Sequence, residues 1–303
     1  MTTDSRTYLD PEVIEKISGL ELKARLIVEG FISGMHKSPF RGSSVEFAEH
    51  REYVPGDDMR FLDWKVFGKT DRLYIKRYEE ETNLDAHVVV DASQSMNYRS
   101  RNGKGPSKFE YSCWGAAAVA HLITQQQDTC GLVLFDEKIR TVMPAASNKT
   151  HLMNLIGELE RAEPEGGTGI ARALGEAGEA VRRRGLVVMF SDLMDDSAEI
   201  LKGIKQVRNR GHEVLLFHVL ANDEVTFPFD RLTRFEGMET VDHLTADPVS
   251  LRTAYLEEVK QFRRRLRRVC LANRIDLVEM NTSDSLGVVL SAYLAKRAAV
   301  RRR

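Results

Sequence analysis

The stretch Asp85-Ala-His-Val-Val-Val-Asp-Ala-Ser-Gln-Ser-Met96 constrains this chain more than any other. Three consecutive valines without polar alternation predict a short strand buried on both faces, the central kind in a parallel sheet. At the end of the run the chemistry changes. Asp91, Ser93 and Ser95 place an oxygen-bearing side chain at every second position, so one loop can turn all three toward a point. Oxygen donors, few of them charged and with room for water, suit a small hard cation. The same residues would serve an ordinary strand-end turn in which Asp91 and the serines cap backbone amides.

Buried strands and helices alternate along the chain beyond this loop. Ser107-Lys-Phe-Glu110 is a capping box opening a helix, with Phe109, Cys113, Ala116, Ala117, Ala120 and Ile123 on one face. Gly131–Phe135 reads as the next buried strand and Ile139–Met143 as its antiparallel edge neighbour. His151–Leu159 reads as a helix. Another opens at Thr168 and runs to about Arg184, with Ala171, Leu174, Ala177 and Val181 inward. Leu186–Phe190 and Val214–Leu220 are further buried strands, separated by a helix that Asp196-Ser-Ala-Glu199 would cap. Asp247-Pro248 starts a long helix to about Ala272. Ile275–Met280 and Leu286–Arg297 read as a last strand and helix. This alternation predicts an α/β fold, a doubly wound, mostly parallel sheet with helices on both faces. Ligands of such sheets bind beyond the carboxyl ends of the strands, where Asp91, Thr168 and Asp192 would meet.

Asp91-x-Ser93-x-Ser95 after a strand, Thr168 within Gly166-Gly-Thr-Gly169, and Asp192 after Leu186-Val-Val-Met-Phe-Ser form a three-part pattern. It resembles the metal-ion-dependent adhesion site of von Willebrand factor A domains. The resemblance implies one Mg²⁺ (or Mn²⁺), bound directly by the Ser93 and Ser95 hydroxyls and by Thr168 directly or through water. Asp91 and Asp192 would act through water or by orienting the hydroxyls. One position would stay open for a carboxylate from another protein.

The first eighty residues carry a different signature. Asp10-Pro11 starts a helix, and Leu20, Ala24, Ile27 and Phe31 share the face of a second. Leu73–Tyr78 alternates like an amphipathic strand. Between them Pro55-Gly56-Asp57 marks a turn amid charges of both signs. Arg51, Asp57, Asp58, Arg60 and Asp63 flank Tyr53, Phe61 and Trp64. A rigid ion-paired loop accounts for this cluster better than a catalytic site does, since the turn holds no His or Cys to act as nucleophile or base, and the cluster would face either a partner or only the domain. Together with His36-x-Ser38-x-x-x-Gly42, Phe47 and Arg77-Tyr-Glu-Glu80, the run Arg51-x-Tyr53-x-x-Gly56-Asp57-Asp58-x-Arg60-x-x-Asp63-Trp64 resembles the bacterial and archaeal domain-of-unknown-function family fifty-eight. That resemblance implies this signature joined to a von Willebrand A-like domain, and a MoxR-type AAA+ ATPase as partner. The expected division is an N-terminal α+β segment, 1–83, and a von Willebrand A-like domain, 84–303.

Composition excludes several classes. A net charge of −1 argues against bulk electrostatic binding to nucleic acid or anionic membrane. The arginines at 263, 264, 265, 267 and 268 read as a solvated helix face, or else as a docking stripe for an acidic partner or nucleic acid. Cys113, Cys130 and Cys270 are too few and too scattered for a disulfide framework or a zinc site, so they read as core residues in a reducing compartment. No apolar run reaches the ~18 residues of a membrane span, and no signal peptide is visible, so the expected location is cytoplasmic. No P-loop and no G-x-S-x-G occur. The expectation is therefore a non-enzymatic interaction module. The alternative, a phosphohydrolase with Asp91 as nucleophile, lacks its general acid, because the position two residues on is Ser93.

Overall fold

The structure is a computed structural model. It describes residues 11–15, 17–35, 50–54, 66–68, 72–76, 84–100, 105–180, 185–194, 197–239 and 243–301. In chain order the elements are α1 (Pro11–Glu15), α2 (Leu20–Met35), β1 (His50–Glu52), β2 (Tyr74–Lys76), β3 (Asp85–Asp91), α3 (Lys108–Gln125), β4 (Thr129–Phe135), β5 (Ile139–Ala146), α4 (Lys149–Arg161), α5 (Ile170–Ala180), β6 (Leu186–Ser191), α6 (Ser197–Asn209), β7 (Glu213–Leu220), α7 (Asn222–Thr226), β8 (Thr233–Glu236), β9 (His243–Ala246), α8 (Pro248–Ala272), β10 (Asp276–Asn281) and α9 (Gly287–Arg301).

Six strands form one sheet in the order β10-β7-β6-β3-β4-β5, parallel throughout except for β5, which runs antiparallel to β4. This is the mostly parallel, von Willebrand A-like architecture expected from the sequence. The valine run explains why β3 is central. Successive side chains of a strand point to opposite faces. Val88 and Val90 join the core on one face, with α3, α4 and α9, while Val89 joins the core on the other, with α5, α6 and α8. β6 splits the same way, Val188 and Phe190 against Val187 and Met189. Both faces are covered, so neither could carry alternating polar residues.

Helix α3 has its capping box: Ser107 Oγ accepts from Glu110 N at 3.1 Å, and Glu110 Oε2 accepts from Ser107 N at 2.8 Å. Its small residues let it lie close to the sheet, and a Cβ on Gly115 would stand 2.9 Å from the Phe190 ring. The inner face of α5 differs from the expected one. Ile170, Ala173, Leu174 and Ala177 are buried, whereas Ala171 is half-buried and its backbone lies against Gly203 of α6. Val181 and Asp196 lie outside the described residues. Cys130 sits inside β4 rather than before it, and all three cysteines are free and buried. In α8, Arg263 and Arg267 are tied to Glu279, at 2.5 and 3.2 Å. Among the described residues no helix is long and apolar enough to cross a membrane.

The chain divides into two compact units, Met1–Lys37 with Leu84–Arg303, and Ser38–Asn83. The expected 1–83 segment is thus split. Its two helices go with the large unit because Leu20, Ala24, Ile27 and Val28 share a core with α3, and Lys23 Nζ lies 4.4 Å from the centre of the Trp114 ring. In the smaller unit β1 pairs antiparallel with β2, and Tyr53 N donates to Leu73 O at 2.9 Å. β1 falls where a loop was expected.

One packing detail yields a direct test. Gly131 stands opposite His87 across β3 and β4. A Cβ there would meet the His87 ring at 2.5 Å and Met143 O at 2.8 Å. Gly131→Ala is expected to destabilise the chain by about 1–3 kcal/mol through overpacking, read from the urea midpoint at unchanged slope. An unchanged midpoint would show that the imidazole has room to move.

Candidate functional site

The strand order reverses between β3 and β6, because the chain leaves β3 for β4 and β5 on one side and returns to β6 on the other. In an open α/β sheet the crevice beyond such a switch point receives ligands. Asp91 ends β3, Ser191 ends β6, and Asp192 comes immediately after. All three are buried.

The Asp91 carboxylate is held from two directions. Its Oδ1 accepts from Ser93 N at 3.0 Å, and its Oδ2 accepts from Ser191 Oγ at 2.5 Å. The strand-end turn is therefore present, and it orients the oxygens rather than replacing them as donors. The same turn sets Ser93 Oγ 3.1 Å from Ser95 Oγ. Met96 is buried beneath a short 3-10 turn, Gln94–Asn97, and anchors the loop. Burial first, and then the neighbouring Asp192 carboxylate, push the Asp91 pKa up to about 7 against the hydrogen bonds from Ser191 and Ser93.

The Thr168 loop is sewn to this one by backbone. Glu165 N donates to Ala92 O at 2.8 Å and Gln94 N to Gly166 O at 2.9 Å, while Gly169 N donates to Asp136 O, just after β4, at 2.9 Å. Thr168 thus stands two residues from a direct bond to the Asp91 loop. Its hydroxyl donates to Glu239 Oε1 at 2.9 Å, a carboxylate supplied by the segment after β8. Asp192 is also fully engaged. Met194 N donates to Oδ1 at 3.1 Å across a turn in which Leu193 takes a left-handed φ of 53°. Lys108 Nζ donates to Oδ2 at 2.8 Å.

The five residues expected of the site, Asp91, Ser93, Ser95, Thr168 and Asp192, accordingly come from three loops at one edge of the sheet. Four further residues join them that the sequence did not single out: Ser191, Lys108, Glu224 and Glu239. Lys108 is the first residue of α3. Its ammonium also donates to Glu224 Oε1 at 2.8 Å, and its side chain is only 1% exposed. Burial pushes its pKa down, but Asp192 and Glu224 outweigh that and hold it above the ordinary lysine value. Glu224 is positioned by its own helix start, its Oε2 accepting from Ala221 N at 2.7 Å.

The donor set can be tested against a cation. Octahedral ligands at about 2.1 Å from a Mg²⁺ put neighbouring oxygens roughly 3 Å apart, which is the Ser93–Ser95 separation. Among the described residues no three His, Cys, Asp or Glu side chains gather as a metal cluster. Here the close pair is two neutral hydroxyls with carboxylates behind them. Of the other cluster, Tyr53 is half-buried and Arg51 lies in β1. Gly56, Asp57, Asp58, Arg60, Asp63 and Trp64 lie outside the described residues.

Several known proteins are similar to this chain. The chain is 26% identical over 223 residues to uncharacterized protein Rv1480 of Mycobacterium tuberculosis (strain ATCC 25618 / H37Rv), covering 72% of this chain and 68% of that protein. Among solved structures it is similar to the conserved hypothetical protein BatB from Bacteroides thetaiotaomicron, with 15% identity, a TM-score of 0.48, and coverage of 71% of this chain and 99% of that one. It is also similar to the VWA domain of SpRpn10, with 12% identity, a TM-score of 0.40, and coverage of 68% and 94%. The family described as "Protein of unknown function DUF58" matches residues 49–265, more than half of the chain, and the protein belongs to it.

Proposed function

We propose that the protein is a non-enzymatic, metal-dependent protein-interaction module, an adaptor or co-chaperone for a MoxR-type AAA+ ATPase or for that enzyme's clients. The observation that carries the metal part is the pair of hydroxyls of Ser93 and Ser95, 3.1 Å apart at the switch point and backed by buried Asp91. Ser93, Ser95 and Thr168 would hold a Mg²⁺ or Mn²⁺. When bound, the ion supplies an electrophilic position for a partner's Glu or Asp carboxylate. The chain's own residues do the rest. Asp91 fixes the Ser93 backbone and, through Ser191, ties the ends of β3 and β6 together. The ATPase partner rests on the family resemblance.

The reading requires no bond-making step. The phosphohydrolase alternative would need a proton donor two residues after Asp91, where Ser93 instead shares its hydroxyl with Ser95.

Two measurements test it. Mg²⁺ or Mn²⁺ at 100 times its dissociation constant is expected to stabilise the native chain by about 2.7 kcal/mol and to leave Asp91→Ala unmoved. Retention of the ATPase on the immobilised chain is expected to fall with chelator and with Ser93→Ala. Retention indifferent to both would sink the metal latch. Asp91-dependent hydrolysis of an aryl phosphate would overturn the non-enzymatic reading.

A further inference from the structure

The Asp192 carboxylate, which the adhesion-site pattern directs toward the metal, already has a cation. Lys108 Nζ sits 2.8 Å from Asp192 Oδ2 and 2.8 Å from Glu224 Oε1. The placement is built into the fold. The Ser107–Glu110 capping box fixes where α3 starts, and Lys108 N donates to Tyr98 O at 3.1 Å, which sets the first turn against the Asp91 loop. The Tyr98 ring covers the ammonium, with its centroid 6.0 Å away. Glu224 reaches the same ammonium from α7, on the far side of β7. Tyr255 OH of α8 donates to Glu224 O at 3.2 Å and braces that helix.

A buried ammonium bonded to one of a metal site's carboxylates opposes a second cation there, by direct repulsion and by occupying the carboxylate oxygen. We infer that Lys108 is a tethered cation that competes with the divalent ion for Asp192, and so sets how tightly the site binds metal, with Glu224 as the carboxylate that keeps Lys108 paired when Asp192 turns to the metal. This rests on the reading that the site takes a divalent cation. It gives Lys108 and Glu224 opposite effects. Removing the ammonium frees Asp192 for the metal. Removing the Glu224 charge leaves Lys108 only Asp192 to pair with and strengthens the competitor.

The test is Mn²⁺ binding to the full chain, followed by the paramagnetic signal of free Mn²⁺, in the native protein, Lys108→Met, Glu224→Gln and Asp91→Ala. Lys108→Met is expected to bind Mn²⁺ about tenfold tighter than native, and Glu224→Gln several-fold weaker. In thermal melts Mn²⁺ is expected to raise the midpoint of Lys108→Met by more than it raises the native one. Should Lys108→Met not fold, Glu224→Gln, which keeps the Lys108–Asp192 pair, decides alone. Equal affinity in the native chain and both variants, with binding lost in Asp91→Ala, would overturn the role of Lys108 and leave the metal site standing. Glu224→Gln binding more tightly than native would do the same. No binding by any chain at millimolar Mn²⁺, or binding indifferent to Asp91→Ala, would overturn the metal reading and this inference with it.

Discussion

Asp192→Ala is expected to lower the stability of the metal-free chain by about 3–5 kcal/mol, because it leaves the Lys108 ammonium buried with one of its two carboxylates gone. That corresponds to a fall in melting temperature of roughly 5–8 °C for a chain of this size. The Lys108 side chain is 1% exposed and Asp192 is 0% exposed, so water cannot replace the lost partner without opening the edge of the sheet. Glu224 can offset only part of the loss, because its second oxygen is committed to Ala221 N. The double variant Asp192→Asn with Lys108→Met is expected to lie within about 1–2 kcal/mol of native, since removing both members of a buried pair leaves no uncompensated charge. The Glu224 side chain, 18% exposed, can then be hydrated. Urea unfolding of Asp192→Asn, Lys108→Met and their double gives the coupling directly. If the double loses the sum of the two single losses, the pair is not coupled and the account of Lys108 is wrong.

Much of the frame was legible because it rests on local pattern. The unbroken apolar runs of β3, β6 and β7 announce burial on both faces, and the structure places their successive residues in opposite cores. The Ser107–Glu110 and Asp247-Pro248 signals mark helix starts, and Asp247 indeed accepts from Val249 N. Asp91, Ser93, Ser95, Thr168 and Asp192 could be gathered because strand ends of a parallel sheet share one edge. Lys108 could not be. A lysine at the first helical position reads as solvated, and its burial is decided by Asp192 and Glu224, 84 and 116 residues away. The segment between β7 and α8 was equally silent. Its short elements are held by tertiary stacking of Phe227 on Phe235 and Tyr255, at 5.7 and 4.4 Å, which no periodicity encodes. Glu239, which reaches Thr168, comes from the same segment. The inner face of α5 depends on tertiary packing as well, since its backbone at Ala171 lies so close to Gly203 of α6 that a Cβ there would stand 2.9 Å from the Ala171 Cα.

Acid is expected to expose the cost of two buried imidazoles. His218 lies on β7, edge-on to Phe262 at 6.0 Å, and is 0% exposed. Burial lowers its pKa to about 4, against the pull of Asp192 and Glu279 and with a small push from Arg263. His87 on β3 has no hydrogen-bond partner at either nitrogen, and the Asp85 carboxylate stands 3.8 Å from Nδ1. Burial lowers its pKa too, with Asp85 opposing and His212 assisting. A histidine whose folded pKa is depressed stabilises the fold above its unfolded value of 6.5, and that stability is lost as pH falls toward the folded value. For His218 the interval from 6.5 to about 4 is worth roughly 3 kcal/mol. Asp91 runs the other way. Raised to about 7, its contribution is fully present below 3.8 and lost as pH rises through 7. The native profile between pH 4 and 7 is therefore flatter than the histidines alone would make it. The difference between native and His218→Phe isolates the imidazole, because Asp91 contributes equally to both. Phe keeps the ring against Phe262 and takes up no proton. Between pH 4.5 and 6 the stability of the variant is expected to fall less steeply than native, by up to about 1.4 kcal/mol per pH unit. Parallel profiles from urea unfolding across that window would mean that His218 is already protonated in the fold. A counter-charge, with Asp192 and Glu279 the nearest, would then have to hold it so.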